Sequence, residues 1–348
     1  MNAFIEKIKN LACFVVLSAF IYLIITQNSN IKIFTYDAIN NCITSLIPSL
    51  FFNLSVALFL VKSNIYLYAG KVLKFVAKYI FAMPDYIFSI FLISCFSGYP
   101  VGTKILSNLN KKGIISDYEM KYLPTICFSC GPSFIFSVVF DFKVGLVVFL
   151  SLFTANLITA ILICHIYKPK QKTVNYRLEI SSDIFFESLS EAFISVINIS
   201  FVTVFFSGLI SLVSLKIETK YFSPLIEICG LYDFFSYDYL NISLTILFLS
   251  FGGICVLCQI IKISENLVSV LLFIFVRLFV GSVAILIFRV LVYYNLFEIP
   301  DSDIYCFQTL SDFNLYGFNL SYFSVFFPLL SILIIKKSED LLYRFGYN

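Results

Sequence analysis

Eight consecutive residues, Ser97-Gly98-Tyr99-Pro100-Val101-Gly102-Thr103-Lys104, carry the densest chemistry in this chain. They interrupt an apolar stretch, Tyr86–Leu106. Pro100 lacks a backbone donor and disfavours helical geometry at Tyr99. Gly98 and Gly102 let other backbone approach closely. Ser97 and Thr103 supply hydroxyls for exposed backbone or for a ligand. A helix that starts after such a break presents free N–H groups that attract anions, and Lys104 adds a full positive charge. The chemistry expected is non-covalent capture of a small anion. The plainer reading, a packed helix kinked by proline and glycine, stands beside it.

Three later stretches have the same character. Ser129-Cys130-Gly131-Pro132-Ser133 and Ser250-Phe251-Gly252-Gly253 each break an apolar run, and Gly230 breaks the shorter run Leu225–Phe235. Ionisable residues at membrane depth are costly and default to function. Arg277 falls about ten residues into its run, where it either holds an anionic ligand or pairs with Glu227 or Glu191. Gln259, Asn156 and Asn198 read as interhelical hydrogen-bonding residues, with Gln259 also placed to meet a ligand. Two CxxC pairs, Cys127/Cys130 and Cys255/Cys258, have zinc-like spacing but lie in apolar runs without a polar second shell, so packing is expected. The single histidine, His165, reads as interfacial. No Ser/His or Asp/Asp dyad is written at depth and no nucleotide-binding motif is present, so neither an enzyme nor a cofactor is expected.

The elements that position these residues follow from composition. The 348 residues are 60% hydrophobic and 13% charged, and mean hydropathy is +0.94. Soluble domains are about 25% charged. A spanning helix needs about 20 apolar residues. Runs of that kind are Leu11–Thr26, Cys42–Val61, Leu123–Phe140, Val144–Tyr167, Leu189–Val213, Leu240–Ile261, Leu267–Phe288 and Leu320–Ile335. The first reads as a retained anchor, because no signal cleavage site follows it. Lys71, Lys74 and Lys78 alternate with apolar residues in 62–83, which reads as an interfacial amphipathic helix. Ser116 and Glu119 form a capping box.

Charge decides the topology of Tyr86–Leu106. If that stretch enters and leaves on one side, 18 of the 24 basic residues face the cytoplasm, and Lys32, Lys143, Lys216 and Lys220 face outward. If it spans, 9 face inward and 13 outward. The positive-inside rule favours the re-entrant placement. It puts both termini in the cytoplasm and the acidic loop Glu298–Asp312 outside. The net charge of +3 is too small to suggest nucleic acid.

The two halves then look alike. Residues 42–167 form a first repeat, with the re-entrant stretch 86–106. Residues 168–188 form a cytoplasmic linker, and 189–296 a second repeat. An anchor helix and outer loop (1–41) precede them, and an outer loop, last span and basic tail (297–348) follow. Gly98-Tyr99 pairs with Gly230-Leu231-Tyr232, and Gly131-Pro132 with Gly252-Gly253. A rival register pairs Phe96-Ser97-Gly98 with Phe251-Gly252-Gly253. The expected fold is an all-α polytopic membrane protein of about eight spanning helices plus two re-entrant segments, an inverted-topology repeat of the kind many secondary transporters use.

These motifs resemble a known family. Phe96 to Lys104 is similar to the SGYPxGAK signature of sporulation integral membrane proteins of the YlbJ type, which belong with the nucleoside-recognition Gate-domain membrane proteins. Ser129 to Ile135, Leu225 to Gly230 and Ser250 to Gln259 resemble that family's later elements in order. The resemblance covers roughly residues 42–295. Thr103 stands where alanine is usual, Cys130-Gly131 replaces the usual residues before proline, and 225–230 lacks the usual threonine. The resemblance implies a Gate-like transporter of a small organic anion, dipicolinic acid across the outer forespore membrane. A nucleoside or other small-solute carrier and a non-transporting sporulation scaffold are the alternatives. The site implied comprises Ser97, Gly98, Tyr99, Pro100, Gly102, Thr103, Lys104, Ser129, Gly131, Pro132, Ser133, Glu227, Gly230, Gly252, Gly253, Gln259 and Arg277. Expected partners are membrane lipid and the anionic solute, with a second copy of the chain or sporulation membrane proteins beyond these.

Overall fold

Long apolar helices dominate the computed structural model, which describes residues 21–139, 141–170, 177–213, 222–236 and 239–294, with Phe14, Leu17, Ser18 and the short stretches Asn314–Leu315 and Phe318–Asn319. Helix α1 runs Asn28–Lys62 with a π-helical turn at Cys42–Leu46. Two short helices, α2 (Ile65–Val72) and α3 (Lys74–Tyr79), lead to α4 (Asp85–Ser97) and α5 (Val101–Lys111). After α6 (Asp117–Met120) come α7 (Leu123–Ile126) and α8 (Pro132–Val138), then α9 (Phe142–Tyr167) and α10 (Ser182–Val213). The short turns α11 (Ser223–Ile226) and α12 (Leu231–Phe234) precede α13 (Tyr239–Phe251), α14 (Gly253–Ile263) and α15 (Val270–Tyr293).

Among the described residues five units are long and apolar enough to cross a membrane: α1, α9, α10, α13 with α14, and α15. A 24-residue helix such as α15 rises about 36 Å, which exceeds the ~30 Å hydrocarbon core. Phe185, Phe186, Phe193, Ile194, Phe201 and Phe205 stand exposed along α10. An apolar face that continuous suits lipid and not water. The chain is a predominantly helical membrane protein, with one short antiparallel pairing of Asn314–Leu315 and Phe318–Asn319.

Several expected boundaries shift for local reasons. Leu123–Phe140 is not one helix. It opens into an extended stretch, Cys127–Gly131, between α7 and α8, because Gly131 and Pro132 cannot continue a helix from Ile126. Tyr86–Leu106 becomes two helices that fold back on each other at Gly98–Pro100, which brings Gly102 against Ser94. Helix α10 starts at Ser182, ahead of the expected Leu189. The stretch 62–83 is two helices, broken at Leu73, with Val72, Phe75, Tyr79 and Ile80 exposed beside the lysines. The capping box at Ser116–Glu119 forms as expected. Seven of the sixteen residues of Leu11–Thr26, all of Leu320–Ile335 and the loop Glu298–Asp312 lie outside the described residues.

The lysine-bearing loops meet at one end of the bundle. Asn64 Nδ2 donates to the Arg177 carbonyl at 3.0 Å, and the Glu179 N–H donates to the Ser63 carbonyl at 3.2 Å. The Lys170 N–H donates to Glu119 Oε1 at 3.0 Å, and the Ser269 N–H to the Lys121 carbonyl at 3.1 Å. Lys111 pairs with Glu265 at 2.7 Å. Asp141 caps α9 at the far end, accepting the Val144 N–H at 2.9 Å.

Candidate functional site

Four interruptions converge inside the bundle, and each is forced by its residues. At the tip of the α4–α5 reversal, Gly98 takes φ +84°, a backbone region that L side chains rarely adopt. A Cβ there would lie 3.2 Å from the Gly131 nitrogen, so the tip and the extended stretch touch backbone to backbone. In the other half, Gly252 and Gly253 take φ +80° and +83°. Gly253 abuts the Ile226 carbonyl at the end of α11.

The extended stretch leaves carbonyls without helical partners, and Arg277 of α15 satisfies them. The Arg277 side chain is fully buried. Its Nη1 donates to the Phe128 carbonyl, and its Nη2 donates to Asn156 Oδ1 at 2.9 Å. Asn156 Nδ2 donates to Ser129 Oγ at 3.3 Å and to the Leu152 carbonyl at 2.9 Å. Ser250 Oγ donates to the Arg277 carbonyl at 2.7 Å. The Phe128 ring joins the halves. It stacks on Tyr99 at 4.8 Å, meets Phe273 edge-on at 5.0 Å and lies under the guanidinium at 5.1 Å.

Two cavities adjoin here. The small inner one has room for about one water, with a volume of ≈ 30 Å³. Its lining includes Gly98, Tyr99, Cys130, Gly131, Ile228 and Gln259. The larger vestibule, ≈ 460 Å³, runs from Pro100 and Gln259 toward the lysine-bearing end. Lys104, Lys111, Lys262, Asn108, Ser195 and Asn198 give it its polar wall, and Leu54, Ile199, Phe201 and Val202 its apolar one. Gln259 and Ile199 border both cavities.

Lys104 is held rather than free. It pairs with Glu191 Oε1 at 3.0 Å and hydrogen-bonds to Ser195 Oγ. Glu191 Oε2 pairs with Lys62 at 2.9 Å, and Lys62 also meets Glu187 at 2.9 Å. Glu191 is thus partnered by lysines, and Arg277 by a carbonyl and an amide, so neither expected Arg277–carboxylate pairing forms.

Of the residues anticipated from sequence, Gly98, Tyr99, Pro100, Lys104, Gly131 and Gln259 line the cavities. Pro132 and Ser133 begin α8 beside them, and Ser133 Oγ accepts from Asn53 Nδ2 at 2.9 Å. Gly102 packs on Cys127, Thr103 is buried, Ser129 is tied to Asn156, and Gly230 packs on Ser223. Ser97 closes α4, and Gly252 lies against Phe128 and Tyr99. Glu227 is buried between α11 and the 3-10 turn Ile228–Gly230. Among the described residues no cluster of three or more metal-ligating side chains forms, and Cys127, Cys130, Cys255 and Cys258 are free thiols. The vestibule residues Lys111, Lys262, Asn108 and Ser195 did not stand out from sequence. Their signal was helical spacing: Lys104, Ser107, Asn108 and Lys111 share one face of α5, and Gln259 and Lys262 one face of α14.

Comparison of the chain with protein-family models, with curated proteins and with solved structures gives no match.

Proposed function

We propose that this chain is a multi-pass membrane carrier for a small organic anion. The observation that carries the reading is the vestibule. It is walled by Lys104, Lys111 and Lys262 and narrows onto the meeting point of interrupted helices. Irregular backbone at membrane depth persists where protein buries it or a cavity meets it. Two helix starts border the cavities, α5 after Pro100 on the vestibule and α8 after Gly131 on the inner cavity, and a helix start suits negative charge. The stacked Tyr99 and Phe128 rings beside it suit a flat solute.

The gathering of lysine-bearing loops at one end supports a cytoplasmic assignment of that end. In this orientation α4–α5 and α11–α12 are re-entrant, and the interrupted units α7–α8 and α13–α14 cross. That order gives two inverted halves and agrees with the resemblance to YlbJ-type Gate proteins. Dipicolinate, a planar dianion, is the substrate that this resemblance and the lysine wall favour together, with the outer forespore membrane as the location. Two observations favour a neutral solute such as a nucleoside: Glu191 already neutralises Lys104, and Glu265, which also lines the vestibule, pairs with Lys111.

Uptake of radiolabelled dipicolinate into proteoliposomes, with nucleosides as competitors, separates the two. For the anion carrier, Lys262→Gln weakens half-saturation about tenfold to a hundredfold, the equivalent of one hydrogen bond to a charged group. Competition by nucleosides, with Lys262→Gln silent, establishes the neutral-solute reading. Folded protein that moves neither solute overturns the carrier reading and leaves a scaffold.

A further inference from the structure

Among the described residues two acids are buried, Glu119 and Glu227, and they are treated differently. Glu119 accepts from the Ser116 N–H at 2.8 Å and the Lys170 N–H at 3.0 Å, and it sits at the lysine-bearing end. Glu227 lies at the junction of the interruptions, 4% exposed. Its Oε1 has no hydrogen-bond partner. The ion pairs among the described residues all involve Glu187, Glu191 or Glu265, and none reaches Glu227.

The groups that face Glu227 come from each element around it. Cys42 belongs to α1, Cys255 to α14 and Tyr99 to the α4–α5 tip. Cys229 presents its N–H and thiol from the next turn, and Gly230 its N–H. None of these is a cation. The donors favour the carboxylate, whereas burial with an orphaned oxygen favours the acid. A carboxyl caught between these pulls changes state when its surroundings change slightly. A hard cation requires several oxygen ligands. The titratable groups that face Glu227 are thiols and one phenol, with no second carboxylate beside it, and a single carboxyl holds a proton unaided.

The residues on either side of Glu227 reach the candidate site. Ile228, its neighbour, lines the inner cavity, and the Ile226 carbonyl abuts Gly253 at the start of α14.

We infer that Glu227 takes up and releases a proton in step with solute movement, so that the carrier is proton-coupled; this rests on the carrier reading above. The proton leaves hydronium at one membrane face and forms an O–H bond at the Glu227 carboxyl. It returns to water at the other face when that bond breaks, and no electron moves.

The test uses the full chain in lipid. Infrared difference spectra between about pH 5 and about pH 9 should show a buried carboxylic acid band that titrates and is missing in Glu227→Gln. In proteoliposomes, an inward proton gradient of about one pH unit should raise wild-type dipicolinate accumulation up to about tenfold. Glu227→Gln, in protein whose thermal midpoint shows it folded, should abolish that response. A Glu227→Gln chain that still follows the proton gradient, or accumulation that follows sodium and ignores pH, overturns the inference. A missing titrating band also overturns it. Wild-type protein that shows the band but no dipicolinate counterflow overturns the carrier reading and the coupling with it, and leaves only a titrating acid.

Discussion

Arg277 shows why a charged side chain persists in the middle of an apolar helix. Its guanidinium replaces the helical donors that the extended stretch Cys127–Gly131 lacks, and it does so through a fork that reaches a carbonyl and Asn156 at once. A lysine cannot span both acceptors. Arg277→Lys should cost about 1.5–3 kcal/mol of stability, read as a lowered thermal midpoint in detergent. Combined with Asn156→Leu it should cost less than the sum, because the two side chains share one network. That Arg277 is buried was legible from its position ten residues into an apolar run. Its partner was not. The acceptor is a main-chain carbonyl 149 positions away, and a backbone carbonyl has no residue signature. Sequence reasoning reached instead for two carboxylates in or beside apolar runs, Glu227 and Glu191. The partners of Glu191 were hidden for a similar reason: Lys62 and Lys104 approach it from α1 and α5, and neither is a helical neighbour of Glu191 in sequence.

At the scale of elements, proline and glycine announced the interruptions correctly at 97–104, 129–133 and 252–253. They did not announce that α4 and α5 reverse, because the same residues kink a continuous helix. The reversal rests on Gly102, whose missing side chain lets α5 lie on the Cys127 carbonyl and on Ser94. Gly102→Ala should destabilise the fold by about 1–3 kcal/mol through overpacking, measured by thermal unfolding. Helix α3 offers a second test. It exposes Phe75 and Tyr79 next to Lys74 and Lys78, the mixture expected where a helix lies in a lipid headgroup layer. The chain contains no tryptophan, so Phe75→Trp creates a single fluorophore. Its emission should be blue-shifted in vesicles and quenched by brominated lipid. Emission unchanged between vesicles and water would place α3 away from the bilayer.

The whole molecule is polarised, with lysine-bearing loops at one end and Asp141 at the other. In a chain freed of native cysteines, single cysteines at Lys112 and Lys168 should react with an impermeant maleimide from the same side. A cysteine at Lys143 should react only from the opposite side. Reaction of Lys112 and Lys168 from different sides would contradict a pair of crossings between them, and a cysteine at Lys78 that reacts from the side opposite Lys112 would contradict the reversal of α4–α5. The charge pattern made this polarity legible before any coordinates, since short basic loops declare their side. The contact between the two interrupted units was not legible, because Phe128, which packs against Gly252, looks like any other phenylalanine in an apolar run.

Glu191 has one further consequence. It holds a lysine with each oxygen, Lys62 from the long helix α1 and Lys104 from the reversing hairpin. An arriving anion that draws Lys104 away does not strand a bare carboxylate, because Lys62 stays in place. The exchange swaps one counter-ion for another at nearly constant local charge. In the proposed carrier such a relay would pass Lys104 from Glu191 to a guest anion without stranding the carboxylate, where a simple two-residue ion pair would have to break outright.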